Sequence, residues 1–377
     1  MAQFIGLGNA HDGFISASGD VNTRASCTGS AGNATVTTSL SVQVGDMVAL
    51  FQERGSGVGA WEMVVVISTG AGNFTAHKPL DNTYTDSGNS QAQAVLIPQS
   101  AGGTISGTIA PSAWDQNVGG VTFIVASGRL VISGNINANG MGFLGGVGSG
   151  GNGESTPVFG LGGEGSVGVR LSTNSNNGNG GGAGSNNRSP WSGYGVGHGG
   201  GGGYATAGTN GDFTSGSATG YGGVQDGSAD LTNCVFGGGG GAGGCDWPPS
   251  VGNVGGNGGR GGGKVFVFAR ELIITGSISV NGNIGGNAGG PNNNKGGAGG
   301  SAGSIFIKGQ YVDIGTNKLL ALGGSYGSNT SGSTNSGIGA LGRIRIEACK
   351  LVGSTNQGSV SISTGGHSWC GLHGGMI

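Results

Sequence analysis

Charge is scarce in this chain: Asp, Glu, Lys and Arg together make up 8% of 377 residues, with 15 basic and 17 acidic side chains and a formal net charge of −2. Without a basic footprint to hold a phosphate backbone, a nucleic-acid partner is not expected. Proline is scarce too, at 8 residues, and no Gly-X-Y period carries it, which excludes a collagen triple helix. No apolar run approaches the roughly 20 residues of a membrane-spanning helix, so membrane insertion is not expected. The opening MAQFIGLGNAHDGF has neither a basic segment nor an apolar core and does not read as a secretory signal. The 5 cysteines form an odd set, so at least one thiol is expected to be free or paired between chains.

What is abundant is glycine, 95 residues against a usual share of about 7%. Ordinary disorder combines low hydrophobicity with high net charge, whereas 34% of this chain is hydrophobic and gathered in short runs. Something in it packs. Three segments align when written from the glycines before them: GGVTFIVASGRLVISGNINANG (119–140), GGKVFVFARELIITGSISVNG (262–282) and AGSIFIKGQYVDIGTNKLLALGG (302–324). A fourth, LGRIRIEACKLVGSTNQGSVSISTGG (341–366), follows the same order with a longer middle. This is an internal repeat.

Within each unit apolar residues alternate. Phe123/Val125, Val265/Val267, Ile305/Ile307 and Ile344/Ile346 open it; Leu130/Ile132, Leu272/Ile274 and Val312/Ile314 continue it; Ile136/Ala138, Ile278/Val280, Leu319/Ala321 and Val360/Ile362 close it. Period-two alternation of β-branched residues predicts short half-buried strands, about three per unit, and no helix. The expected fold is therefore all-β: a parallel β-solenoid in which each coil pairs with the next over an aliphatic column. A β-sandwich is the alternative packing, disfavoured because the strands recur in order rather than as two-residue hairpins.

Glycine-rich excursions separate the units, the longest at 141–261. Glycine at this density favours the extended threefold polyproline-II-like helix, and adjacent helices of this kind bond laterally because no side chain intervenes. A bundle of polyglycine-II-type helices is expected there. Residues 1–100 have ordinary glycine content and tighter alternation and read as a small N-terminal β-domain suited to attachment. PQSAGGTISGTIAPSAW joins it to a first unit within 101–140; 141–261 forms a display surface, and 262–377 holds the remaining units and a C-terminal cap.

Few constellations carry chemistry. GxGxxG matches lack the strand, helix and downstream acid that a nucleotide fingerprint needs. Asp226 and Asp230 read as turn aspartates rather than a calcium pair. GGHSWCGLHGG sets His367 and His373 around Cys370, but with no second cysteine nearby in sequence a polar cap is expected rather than a metal site. The acids Glu154, Glu164, Asp212, Asp226, Asp230 and Asp246 all fall in glycine-rich sequence, and no pair recurs on the strand faces as glycoside cleavage requires. No catalytic residue, metal or cofactor is assigned. The large rings Trp191, Tyr194, Tyr204, Phe213, Tyr221, Phe236 and Trp247 stand out, since rings on glycine-rich loops give a neutral surface large contact area at small entropic cost. Of these, Trp191, Tyr194, Tyr204, Tyr221 and Trp247 are the candidate receptor contacts, with plugging of the glycine bundle as the other reading. Sequence proximity allows the pairs Cys234–Cys245 and Cys349–Cys370, leaving Cys27, with reduced buried thiols as the other reading.

The order VGDMVALFQERGSGVGAWEMVVV, GRLVISGNINANG, GGGGGYATAG, GGKVFVFARELIITGSISVNG and GRIRIEA resembles a broad class of glycine-rich bacterial surface and adhesin-like proteins built from strand units and glycine tracts. The tracts also look like those of phage tail-fibre adhesins, in which polyglycine helices form the receptor-binding tip. The bacterial class usually begins with an export signal, so the expectation leans to a virion part released by lysis. What the resemblance implies is a non-enzymatic tail-fibre or tail-tip adhesin, homo-oligomeric and joined to other virion proteins, gripping a host surface glycan or outer-membrane protein. The alternative is a structural subunit of a filament, capsid decoration or bacterial surface layer.

Overall fold

The computed structural model describes residues 8–16, 18–148, 160–184, 196–212, 219–245, 253–291, 293–331, 335–365 and 370. Among these residues every element is a β-strand and no helix is long and apolar enough to cross a membrane. After a two-residue strand β1 (Phe14–Ile15), six strands form a closed antiparallel barrel: β2 (Arg24–Thr28), β3 (Thr35–Thr38), β4 (Met47–Arg54), β5 (Trp61–Gly70), β6 (Asn73–Ala76) and β7 (Gln91–Ile97). Around the barrel the order is β2-β3-β6-β5-β4-β7. Alternation selects its inside: Val36, Val48, Leu50, Val64, Val66, Phe74 and Ala94 fill the barrel core. Gly72 adopts φ 73° in the tight β5–β6 turn, a conformation that glycine reaches at little cost.

The remaining strands are β8 (Gln99–Ser100), β9 (Gly102–Ile105), β10 (Thr108–Ile109), β11 (Val121–Ile132), β12 (Asn135–Asn137), β13 (Lys264–Ile274), β14 (Ser277–Ser279), β15 (Ser304–Thr316), β16 (Leu319–Leu320), β17 (Arg343–Ser354) and β18 (Ser359–Thr364). They build two parallel sheets, β1-β9-β11-β13-β15-β17-β18, with β8 also beside β11, and β10-β12-β14-β16. The aligned repeats lie side by side, so Ile124, Val267, Ile307, Ile346 and Ile362 form one ladder. Between the sheets runs a column of Ile, Val, Leu and Ala, including Ile136, Ile278 and Leu319 from the smaller sheet and Ala321 just after it.

Four expectations are corrected by these pairings. The first two strands of each unit are one long strand, bent by a register shift between Ala126 and Arg129 in β11 instead of broken by a turn. The first unit is also displaced by one residue from its alignment with the second: Val265 and Val267 pair with Thr122 and Ile124. A one-residue slip reverses the faces, so Phe123 and Val125 point away from the aliphatic column. Val360 and Ile362 do not close the fourth unit; they pair with Ile344 and Ile346 as the next strand of the larger sheet. The stretch read as a joining segment supplies β8, β9 and β10.

Phe123 and Val125 face a second core that the barrel completes. Met47, Ala49, Phe51, Val95 and Ile97 from the barrel pack with Phe123, Phe266, Phe268, Phe306, Trp114, Phe143 and Phe236. Trp61 lies 4.9 Å from Phe266 between ring centroids, and Phe123 stacks on Phe266 at 4.8 Å. This explains why every residue of β4 is buried: one face lines the barrel and the other meets the sheet.

The glycine-rich excursions form a third layer held by backbone hydrogen bonds. Gly237, Gly240 and Gly243 donate to Gly262, Gly259 and Gly256; Gly238, Gly241 and Gly244 donate to Gly203, Gly200 and Gly197; Gly239 and Ala242 donate to Glu164 and Leu161. The run therefore addresses three neighbouring segments in strict rotation of three. At most of its glycines a β-carbon would collide with a neighbouring backbone, as at Gly241, where one would stand 1.9 Å from the Gly182 carbonyl oxygen. The glycine excess is thus a packing requirement, and the unpaired main-chain groups that it would otherwise bury are satisfied across the layer.

Candidate functional site

Two buried carboxylates fasten the layers. Glu53, on β4, receives Lys264 of β13 and the Gln93 amide at 2.7 Å, while the Lys264 ammonium lies 4.5 Å from the Phe236 ring centroid. Burial pushes the Glu53 carboxyl up from its ordinary value, opposed by Lys264 and Gln93. Glu164, in the glycine layer, receives Arg54, the Trp114 indole N–H at 3.1 Å and the Leu144 N–H at 3.0 Å. Consecutive residues of one barrel strand, Glu53 and Arg54, thereby clasp the parallel sheet and the glycine layer. Sequence reasoning missed this clasp, for nothing local marks residues 53, 164 and 264 as neighbours.

Cys349 and Cys370 form a disulfide with Cα atoms 5.4 Å apart. Cys234 and Cys245 do not pair; both are buried thiols, as is Cys27. Cys234 precedes, and Cys245 follows, the run Gly237–Gly244 whose donors rotate by threes along three neighbouring segments. A disulfide needs Cα atoms within about 7 Å. Closing that bridge would fold the run into a hairpin and break its contacts with all three neighbours.

Tyr204 is not a surface contact. It is fully buried, with its hydroxyl 2.5 Å from Ser304 Oγ and the Arg343 guanidinium 5.2 Å from its ring centroid. Phe236 is buried in the second core. For these two rings the structure favours plugging over contact. Trp191, Tyr194, Phe213 and Trp247 lie outside the described residues, as do His367 and His373. Asp230 accepts Ser228 Oγ at 2.6 Å and the Thr232 N–H and hydroxyl at 3.1 and 2.8 Å, bonds that hold its carboxyl down at about 2. Asp226 accepts the Gly227 N–H. Both are turn aspartates, and among the described residues no group of three or more His, Cys, Asp or Glu side chains could hold a metal ion.

Tyr221 is different: 54% of it is exposed, while its N–H donates to Asn174 O and its carbonyl accepts from Gly182. Val224, anchored to Gly178 O, is exposed beside it in sequence. Beyond the intervening segment, whose Asn177 amide donates to Gly168 and Val169 carbonyls, Val167, Val169 and Leu171 are exposed as well. Large apolar side chains thus stand outward on outer segments of a layer held by main-chain hydrogen bonds. The alternation in SVGVRL (166–171) was the available signal, hidden by the surrounding glycines. No protein-family model matches the chain, and no curated protein matches it.

Proposed function

We propose that this protein is a non-catalytic virion appendage component, a tail-fibre or tail-tip adhesin whose glycine layer carries the surface that grips a host glycan or outer-membrane protein. In this reading the parallel sheets are a β-solenoid body and the glycine layer is a polyglycine-II bundle. The rotation of hydrogen bonds by threes supports the bundle, and the recurrence of each unit beside the last supports the solenoid. The observation that carries the functional reading is the exposed row Val167, Val169, Leu171, Tyr221 and Val224 on a layer fixed by main-chain bonds. Apolar and phenolic side chains on a rigid support bind with little ordering cost, and several copies on one particle gain avidity from weak single contacts.

The test is retention of the labelled chain on host bacteria. The Tyr221→Asp/Val224→Asp double variant, with an unchanged circular-dichroism spectrum, is expected to lose retention; equal retention of both proteins would dismiss the surface. Point variants are used because residues 256–262 and 295–301 hydrogen-bond directly to the 145–255 segment, and its deletion would unmake the layer. A second reading, a structural subunit that stacks copies, is favoured by β18. Its sequence SVSIST carries no charge, it pairs with β17 alone among the described strands, and an uncharged edge of this kind is a template for a further strand. A mass in solution that rises with concentration, and falls on Ser361→Lys substitution, supports that reading.

A further inference from the structure

The barrel meets the body through β4, flanked by β5 and β7, and the strand order sets β3 diametrically opposite. On that free side two adjoining clefts, about 400 Å3 and 360 Å3, share Thr28, Thr37 and Asp86. Thr35 and Thr37 project outward from β3, Thr28 pairs across from Thr37 on β2, and the 83–87 segment adds Thr83 and Thr85. Thr83 Oγ1 accepts the Ala31 N–H. Among the described residues, the hydroxyls of Thr28, Thr35, Thr37 and Thr85 and the Asp86 carboxylate have no hydrogen-bond partner.

We infer that this cleft is a binding site for a neutral saccharide unit. Hydroxyl groups act both as donors and as acceptors, so a row of them matches a ligand that carries the same groups in series. A vicinal diol would donate to the two oxygens of Asp86 while accepting from the threonine hydroxyls. The other ligand classes fit poorly. Asp86 repels an anion, and among the described residues no cationic side chain lines either cleft. A hard cation requires more oxygen ligands of fixed charge than one carboxylate supplies. A peptide adding by β-augmentation requires an open strand edge, whereas β2 and β3 are paired on both sides within the closed barrel. The site uses residues unrelated to the Tyr221 row, so it stands or falls independently of the proposed attachment surface.

The experiment is saturation-transfer NMR of the full chain with methyl glucoside, methyl galactoside and methyl mannoside as probes. Transfer to the ring protons of at least one probe is expected. Thr37→Val and Thr85→Val keep the branched shape and remove one hydroxyl each, and together they are expected to weaken that probe about tenfold. Asp86→Asn is expected to weaken it further, whereas Tyr221→Asp leaves it unchanged. Absence of transfer with all three probes overturns the inference. So does undiminished transfer in the Thr37→Val/Thr85→Val/Asp86→Asn variant at an unaltered melting temperature.

Discussion

At Gly240 the whole rationale of the composition is condensed. A β-carbon there would stand 2.3 Å from Ala298 O and 2.6 Å from Gly299 O, and a rigid neighbour backbone cannot retreat without giving up its own bonds. Gly168 offers the contrast: the nearest atoms to an added β-carbon are 3.6 Å away, on the Asn177 and Asn89 side chains, and its φ is not in the left-handed region. Gly240→Ala is therefore expected to cost about 3 kcal/mol by overpacking. Gly168→Ala should be neutral or gain about 0.5 kcal/mol through the unfolded chain. Denaturant unfolding of the two variants measures this, and equal stabilities would refute the close-packing argument. His198 makes a second prediction. Burial first, then the Lys295 charge, with Asp212 pulling the other way, holds its imidazole down at about 4 against 6.5. The folded chain keeps the ring neutral while the unfolded chain protonates it, so its contribution is complete above about pH 6.5 and is lost as pH falls towards 4. The loss is at most about 3 kcal/mol. His198→Asn should flatten the fall in melting temperature over that window, and an unchanged slope would exclude the histidine as its source.

Between elements, the informative contact is the barrel's clasp on the body. Lys264→Met leaves the Glu53 carboxyl buried beside Gln93 with no cation, which is expected to cost about 3–5 kcal/mol, whereas Lys264→Met/Glu53→Gln should recover most of it. Sign follows from burial. Glu53 already titrates above its ordinary range, and without Lys264 the fold binds its proton more firmly still. The single variant therefore loses stability as pH rises through that raised value and is firmer in mildly acidic than in neutral buffer, which melting curves at the two conditions would reveal. The same elements delimit what alternation conveys. Ile136, Ile278 and Leu319 were legible as one inward column because each strand shows water on its other side. Phe123 and Val125 were not, because β11 is buried on both faces in its first half and the two alternating sets are then equally apolar. Nearness in sequence paired Cys349 with Cys370 correctly, and the Cys234–Cys245 pairing failed for a related reason. Nearness in sequence implies nearness in space only where the chain turns, and the Gly237–Gly244 run between Cys234 and Cys245 keeps to its three neighbouring segments.

Across the whole molecule, the composition break near residue 100 pointed to an N-terminal β-domain suited to attachment, and packing ties that barrel closely to the body. The barrel shares a core with the larger parallel sheet through Phe51, Trp61, Phe123, Phe266 and Phe306. The Asn22 side-chain amide donates to the Leu96 and Phe123 carbonyls and accepts the Phe123 N–H. The glycine layer reaches the barrel again, with the Trp61 indole N–H donating to Leu231 O at 2.7 Å and Cys234 N–H to Gly59 O at 2.8 Å. A chain this long usually divides into units that melt separately, and weak contacts between the layers would produce that outcome here. Shared aromatic packing and two buried ion pairs oppose it, since neither the barrel nor the glycine layer can leave without exposing both. Calorimetry is therefore expected to record one endotherm for barrel, sheets and glycine layer, with calorimetric and van't Hoff enthalpies in agreement. Phe266→Ala, which removes the ring that touches Phe51, Trp61, Phe123, Phe268 and Phe306, should cost about 3–5 kcal/mol and displace that endotherm as a whole. Two resolved transitions in the unaltered chain would instead mean that the barrel is a module carried by the body, and attachment would again be its natural role.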